Sequence, residues 1–217
     1  MKPLIISIGV DGREKYSEKI LKLEESLKYW KGDIEIYKSF PEWCTNHYVV
    51  PYAFKYDLIK DAIKRGYRKI FWLDSSMRLI EERSIADLLE QSKTGVVAFD
   101  NLGHLLANYI NDTAIKNLGI ETTEGVKQIW GGCTFWDFDK ELPNIILSEI
   151  FEQISKGSFN NDNTRRENFV AHRHDQAVLS VLLHNHNVEL LPYGTLVSAE
   201  HARTKEYGNN YYFIYGD

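Results

Sequence analysis

The sequence predicts an α/β domain built on a mostly parallel central sheet. Three observations carry that expectation. Short apolar runs recur at 4–8, 70–73 and 94–99, with the length and character of strands buried on both faces. Between them stand stretches whose apolar residues fall three and four apart, the spacing of one helix face. The two kinds of stretch alternate, which is the order that builds a parallel sheet through helical crossovers. The second half holds fewer clean units, so the sheet is expected to be mixed there.

Taken in order, Leu4-Ile5-Ile6-Ser7-Ile8 reads as a buried strand and 9–13 as a glycine-containing loop. A helix from Lys15 would bury Tyr16, Ile20, Leu23 and Leu27, and Gly32-Asp33 stops it. Residues 33–37 alternate, as a strand with one wetter face does. Residues 38–50 form a loop holding Trp43, Cys44 and His47, and Pro51 sits near the first turn of the next helix. The stripe of that helix is Tyr52, Tyr56, Ile59 and Ile63. Lys60, Asp61, Lys64 and Arg65 make its wet face, and Gly66 ends it. The strand at 69–73 then runs into Asp74-Ser75-Ser76.

Residues 77–80 read as extended, and Ser84 as the cap of a helix over 85–91. A buried strand over 94–99 carries Asp100-Asn101 at its end. Residues 104–118 read as helical with a break near Asn111-Asp112, and 126–138 as strand-like around Gly131-Gly132. Pro143 opens a helix through Ile145, Ile146, Ile150 and Ile154, ended by Gly157. Residues 158–173 are rich in Asn, Asp and Arg without periodicity. Compact domains keep so long a bare loop when it works or is disordered. A helix over 175–184, a strand over 188–191 and a Tyr-rich tail close the order.

The 217 residues suit one domain, and 43% hydrophobic content is enough for a sizeable core. Lys plus Arg number 26 against 31 Asp plus Glu, a net charge of −5. That balance argues against sequence-independent nucleic-acid binding, which rests on clustered cations. Cys44 and Cys133 stand far apart and read as free thiols of a reducing compartment. The opening apolar run is broken at Asp11 and is too short for a signal peptide, and no stretch reaches membrane-spanning length. A cytoplasmic location is therefore expected.

The chemistry centres on Asp74-Ser75-Ser76. In open α/β sheets the carboxyl ends of the strands are where ligands bind, so a carboxylate and two hydroxyls there could hold a metal, a ribose or a sugar. The same trio also suits an ordinary turn. Two later stretches decide between these readings: Ile129-Trp130-Gly131-Gly132-Cys133-Thr134-Phe135-Trp136, and His172-Arg173-His174-Asp175-Gln176 opening a helix. A helix leading into an apolar strand that ends in Asp, then a glycine-containing strand, then Asp-Gln at a helix start, resembles the GT-A-type nucleotide-sugar glycosyltransferases over residues 3–192.

The resemblance implies one GT-A-like, Rossmann-like domain over 1–217, with a nucleotide-binding half at 1–100. Residues 101–217 would form the acceptor half, with a mobile loop at 158–173 whose Arg165 and Arg166 could close over the donor. It implies transfer of a sugar from a nucleotide-diphosphate donor to a hydroxyl of a glycan or other acceptor. Asp74 stands at the Asp-x-Asp motif that binds the donor diphosphate and its Mn²⁺ or Mg²⁺. Ser76 replaces the second carboxylate of that motif, and this departure puts metal dependence in doubt. His201 could add a nitrogen ligand, or Asp74 and Ser76 could bond the sugar while cations neutralise the diphosphate.

Asp175 is the candidate base or sugar-binding carboxylate, at a helix start whose dipole favours its charged form. Its alternative is a first-turn acid. Gln176 belongs to the same pair. Gly131 and Gly132 would let a sugar approach the backbone, or mark a bend. Lys55 could reach the diphosphate, although a solvated lysine is the commoner fate. Asp11 and Tyr16 could meet the base, and Trp130, Trp136 and Tyr193 could line the cleft. The competing class is a catalytically silent sugar- or nucleotide-binding domain on the same fold, which the missing carboxylate favours. No Gly-x-Ser-x-Gly or His-Glu-x-x-His is present, so serine hydrolase and zinc protease chemistry find no support.

Overall fold

A computed structural model describes residues 2–10, 15–80, 84–198 and 211–215. Strand β1 (Leu4–Ile8) is followed by helix α1 (Tyr16–Ser26), β2 (Asp33–Tyr37), α2 (Phe54–Lys64) and β3 (Lys69–Leu73). Then come β4 (Met77–Leu79), α3 (Ile85–Gln91), β5 (Val96–Val97), β6 (Asp100–Leu105), α4 (Asp112–Leu118) and β7 (Lys127–Ile129). The chain continues through β8 (Cys133–Asp137), α5 (Glu141–Ser155), α6 (His174–Asn185), β9 (Leu196–Ser198) and β10 (Phe213–Tyr215).

The central sheet has the order β2-β1-β3-β8-β5. The first three strands are mutually parallel, and β8 runs antiparallel to both of its neighbours. The expected α/β domain with a mostly parallel sheet, mixed in its second half, is what forms. A small sheet, β4-β10-β9, and a β6-β7 pair flank it.

Side chains alternate across the sheet, as the pleat requires. On β3, Ile70 and Trp72 join the core under α2, α5 and α6, while Phe71 and Leu73 join the core under α1 and α3. Both faces of β3 are thus buried in apolar side chains, which explains why strand 69–73 reads as an unbroken apolar run rather than as an alternation.

Three expectations are corrected. Residues 104–111 are not helical: β6 runs to Leu105, and a single 3-10 turn at Leu106–Asn108 leads to α4, which Asn111 caps by accepting from the Ala114 N–H. The run 188–191 is not a strand. Leu191 makes one parallel bridge to Phe99. The run 94–99 forms a regular strand only over β5, because from Asp100 onward the chain turns to pair with β7.

Candidate active site

The carboxyl end of β3 meets the first turns of α2 and α6 and the turn between β7 and β8. After Leu73 the chain turns at once. The Asp74 N–H donates to the Gly132 carbonyl at 2.7 Å, and the Met77 N–H returns to the Asp74 carbonyl at 2.9 Å. The Asp74 carboxylate is aimed by Trp72, two residues back, whose Nε1–H donates to Oδ1 at 2.8 Å.

Lys55 is the hub. Its ammonium lies 3.3 Å from Asp74 Oδ1 and 3.2 Å from Asp175 Oδ2, and donates to the Gly131 carbonyl at 3.1 Å. It also sits over the rings of Tyr52 and Trp72, 5.2 and 5.3 Å from their centroids. The Lys55 side chain is 7% exposed and that of Asp175 8%, against 37% for Asp74. The solvated lysine that sequence reasoning held to be commoner is therefore corrected to a buried, paired one. Burial alone would lower the Lys55 pKa, but Asp175 and Asp74 outweigh it and hold the ammonium above the ordinary lysine range. Burial pushes the Asp175 carboxyl up, Lys55 pulls it back, and the Asp74 charge pushes it up again.

Above this network lies an open cleft of about 560 Å³. Tyr16, Lys55, Asp74, Ser76, Gly131, Gly132, Asp175 and Gln176, all singled out from the sequence, line it. Trp130 lines it too, with its ring 4.1 Å from that of Tyr215. Gln176 is fixed by donating to the Ile129 carbonyl at 2.6 Å. The glycines leave room for the protein itself. A Cβ on Gly131 would stand 3.1 Å from Gln176 Oε1, and one on Gly132 only 2.4 Å from Trp130 Nε1.

Other candidates lie elsewhere. Trp136 is wholly buried and donates to Thr134 Oγ1, so it belongs to the core rather than the cleft. Tyr193 is buried, with its hydroxyl 2.9 Å from that of Tyr215. Asp11 and His201 fall outside the described residues. Arg165 is exposed, and Arg166 pairs with Asp112 at 2.8 Å and donates to the Ile110 carbonyl.

Sequence reasoning missed Tyr52, Asn101, His104, Arg173 and His174 as cleft residues. The sequence spacing makes Tyr52 one more member of a helix stripe. Its φ of 64° instead places it ahead of the helix, facing the cleft.

Among the described residues no three His, Cys, Asp or Glu converge on a point, so a cage built of protein ligands alone does not fit. A hard cation held by one carboxylate oxygen and the oxygens of a diphosphate does fit. Trp72 and Lys55 engage Asp74 Oδ1, and Oδ2 has no hydrogen bond among the described residues.

No family model and no curated protein matches the chain. Its fold is shared with a solved structure, a glycosyltransferase involved in the glycosylation of the major capsid of PBCV-1. That match has a TM-score of 0.56 at 12% identity and covers 98% of this chain and 93% of the other.

Proposed function

We propose that this protein is a glycosyltransferase of the GT-A type, moving a sugar from a nucleotide-diphosphate donor to an acceptor hydroxyl in the cleft above Asp74. The observation that carries the reading is convergence. Residues chosen from five separate stretches of sequence for donor binding meet in one open cleft at the carboxyl edge of the sheet. The likeness to a solved glycosyltransferase agrees with it in fold.

The charges suggest how the donor is held. Two carboxylates and one ammonium leave the Lys55 cluster with one negative charge when both acids are ionised. A diphosphate would be repelled by it unless a cation intervenes. Asp74 would hold a Mn²⁺ or Mg²⁺ ion through its free oxygen, with Ser76 beside it bonding the donor. The ion would supply positive charge to the leaving diphosphate. Arg173, exposed at the rim with its guanidinium 5.3 Å from the Tyr109 ring, adds a fixed cation. Tyr16 and Trp130, which line the cleft, would offer their rings to the base and the sugar.

Thermal unfolding with uridine and guanosine diphosphates, each with and without Mn²⁺, tests this. One nucleotide should stabilise the protein by about 2.7 kcal/mol at a hundredfold excess over its Kd, and only with the metal present. Asp74→Asn keeps an acceptor for Trp72 but removes the charge, and should abolish the metal-dependent part. Hydrolysis of the matching nucleotide sugar without acceptor separates the enzyme from a silent domain, which would bind the donor and leave it intact.

A further inference from the structure

His174 occupies the cleft in a way that the Lys55 network does not use. It opens α6 with φ at 42°, a left-handed backbone that among non-glycine residues His, Asn and Asp take most readily. Beside it, Tyr52 has φ at 64°, and the two rings lie 5.6 Å apart. Two such residues in ring contact, just ahead of Lys55 and Asp175, are the kind of local strain that gathers where side chains must be aimed.

The aim of the His174 ring can be read from its partner. Nδ1 lies 2.7 Å from the Phe159 carbonyl. A carbonyl only accepts, so Nδ1 carries the hydrogen and the neutral ring keeps its lone pair on Nε2. Nε2 has no hydrogen-bond partner among the described residues, and the ring lines the cleft with Asp74 and Ser76. Asp175 is placed differently. Its Oδ2 is already ion-paired at 3.2 Å, beneath a surface that leaves its side chain 8% exposed.

We propose that His174 Nε2 is the general base that takes the proton of the acceptor hydroxyl, and that Asp175 is a positioning residue that holds Lys55. This rests on the glycosyl-transfer reading. The acceptor oxygen bonds to the anomeric carbon as the bond from that carbon to the diphosphate oxygen breaks. The electron pair of the broken bond leaves on the diphosphate, and the hydroxyl proton passes to Nε2. An in-line displacement of this kind inverts the anomeric carbon. The charged and titratable groups around the ring are His47, Tyr52 and Lys55 from the α2 side, and His172, Arg173 and Asp175 from its own segment.

Two variants test the proposal. His174→Asn tolerates the left-handed backbone and can still donate to Phe159, but offers no base. His174→Gly takes the same backbone freely and leaves room for free imidazole. Both should keep the wild-type affinity for the nucleoside diphosphate and the KM for the donor, while kcat for transfer falls about 10²- to 10⁴-fold. Imidazole should restore His174→Gly by about tenfold or more and leave wild type unchanged.

Normal turnover by His174→Asn would overturn the proposal. So would a loss in His174→Gly that imidazole leaves in place, which marks a structural role. A fall in kcat confined to Asp175→Asn, at unchanged nucleotide affinity, would return the base to Asp175. A wild-type protein that neither transfers nor hydrolyses any nucleotide sugar would sink the glycosyl-transfer reading and this proposal together.

Discussion

Lys55 is the residue whose loss should be felt most. Lys55→Met would leave Asp74 and the buried Asp175 side by side without a counter-charge. Breaking a buried pair in this way costs about 3–5 kcal/mol, because the stranded charge cannot be solvated. Urea unfolding should show that loss. Adding Asp175→Asn removes the stranded charge and should recover part of it, so the double variant should be more stable than the sum of the single losses predicts. Simple additivity would show that the cluster is not coupled. Asp74 and Ser76 were legible in the sequence because a polar trio after a buried strand must sit at the sheet edge. The burial of Lys55 was not. What encloses it is Asp175 and Trp72, and no local pattern around Lys55 announces either. The left-handed backbones of Tyr52 and His174 were equally hidden, since Tyr has no preference for that region and the preference of His is too weak to mark one position.

At the scale of elements, the 158–173 segment shows where sequence patterns run out. It has no helix or strand, yet its polar residues are spent on α4. Thr164 Oγ1 accepts from the Asp112 N–H, and Asp162 from the Thr113 N–H. His172 completes the seam. Its Nε2–H donates to the Ser158 carbonyl at 2.9 Å, and its Nδ1 accepts from the Asn111 N–H at 3.3 Å. The second bond needs a neutral ring, while the first would survive protonation. Burial accordingly lowers its pKa from 6.5 to about 4. A depressed folded value favours the neutral form in the fold. Its contribution is therefore whole above pH 6.5 and is lost as the pH falls through about 4. At pH 5 the loss from this one group is about 2 kcal/mol. Urea midpoints at pH 7 and pH 5 should show wild type losing about that much more than His172→Gln, which does not titrate. The misread run at 104–111 has a related cause. Its apolar residues suit a helix locally, but β7 offers β6 a partner from the far side of α4, and pairing wins.

At the scale of the molecule, the parallel half of the sheet was readable because β1 and β2 are each followed by a helix that returns the chain to the next parallel strand. The placing of β8 between β3 and β5, and the return of the C-terminal chain to the opposite core, depend on contacts between remote segments. That return ties stability to the cleft. Strand β10 pairs antiparallel with β4 and parallel with β9. Its Phe213 is wholly buried, with rings of Phe99 and Phe135 at 6.1 and 5.8 Å. Two residues on, and so displaced along the same strand, Tyr215 lies tilted against Trp130 of the cleft, with ring centroids 4.1 Å apart. The two side chains should therefore fail differently. Phe213→Ala opens a cavity between packed rings and should cost about 3–5 kcal/mol in urea unfolding. Tyr215→Ala removes a half-buried ring contact worth about 0.5–1.5 kcal/mol beyond its buried area, together with the hydroxyl contact to Tyr193. It also frees the Trp130 indole, so nucleotide or nucleotide-sugar affinity measured by calorimetry should fall while the fold holds. If both variants lose stability alike and Tyr215→Ala binds ligand normally, then Trp130 is set by the β7–β8 turn alone, and the chain's end has no hand in shaping the cleft.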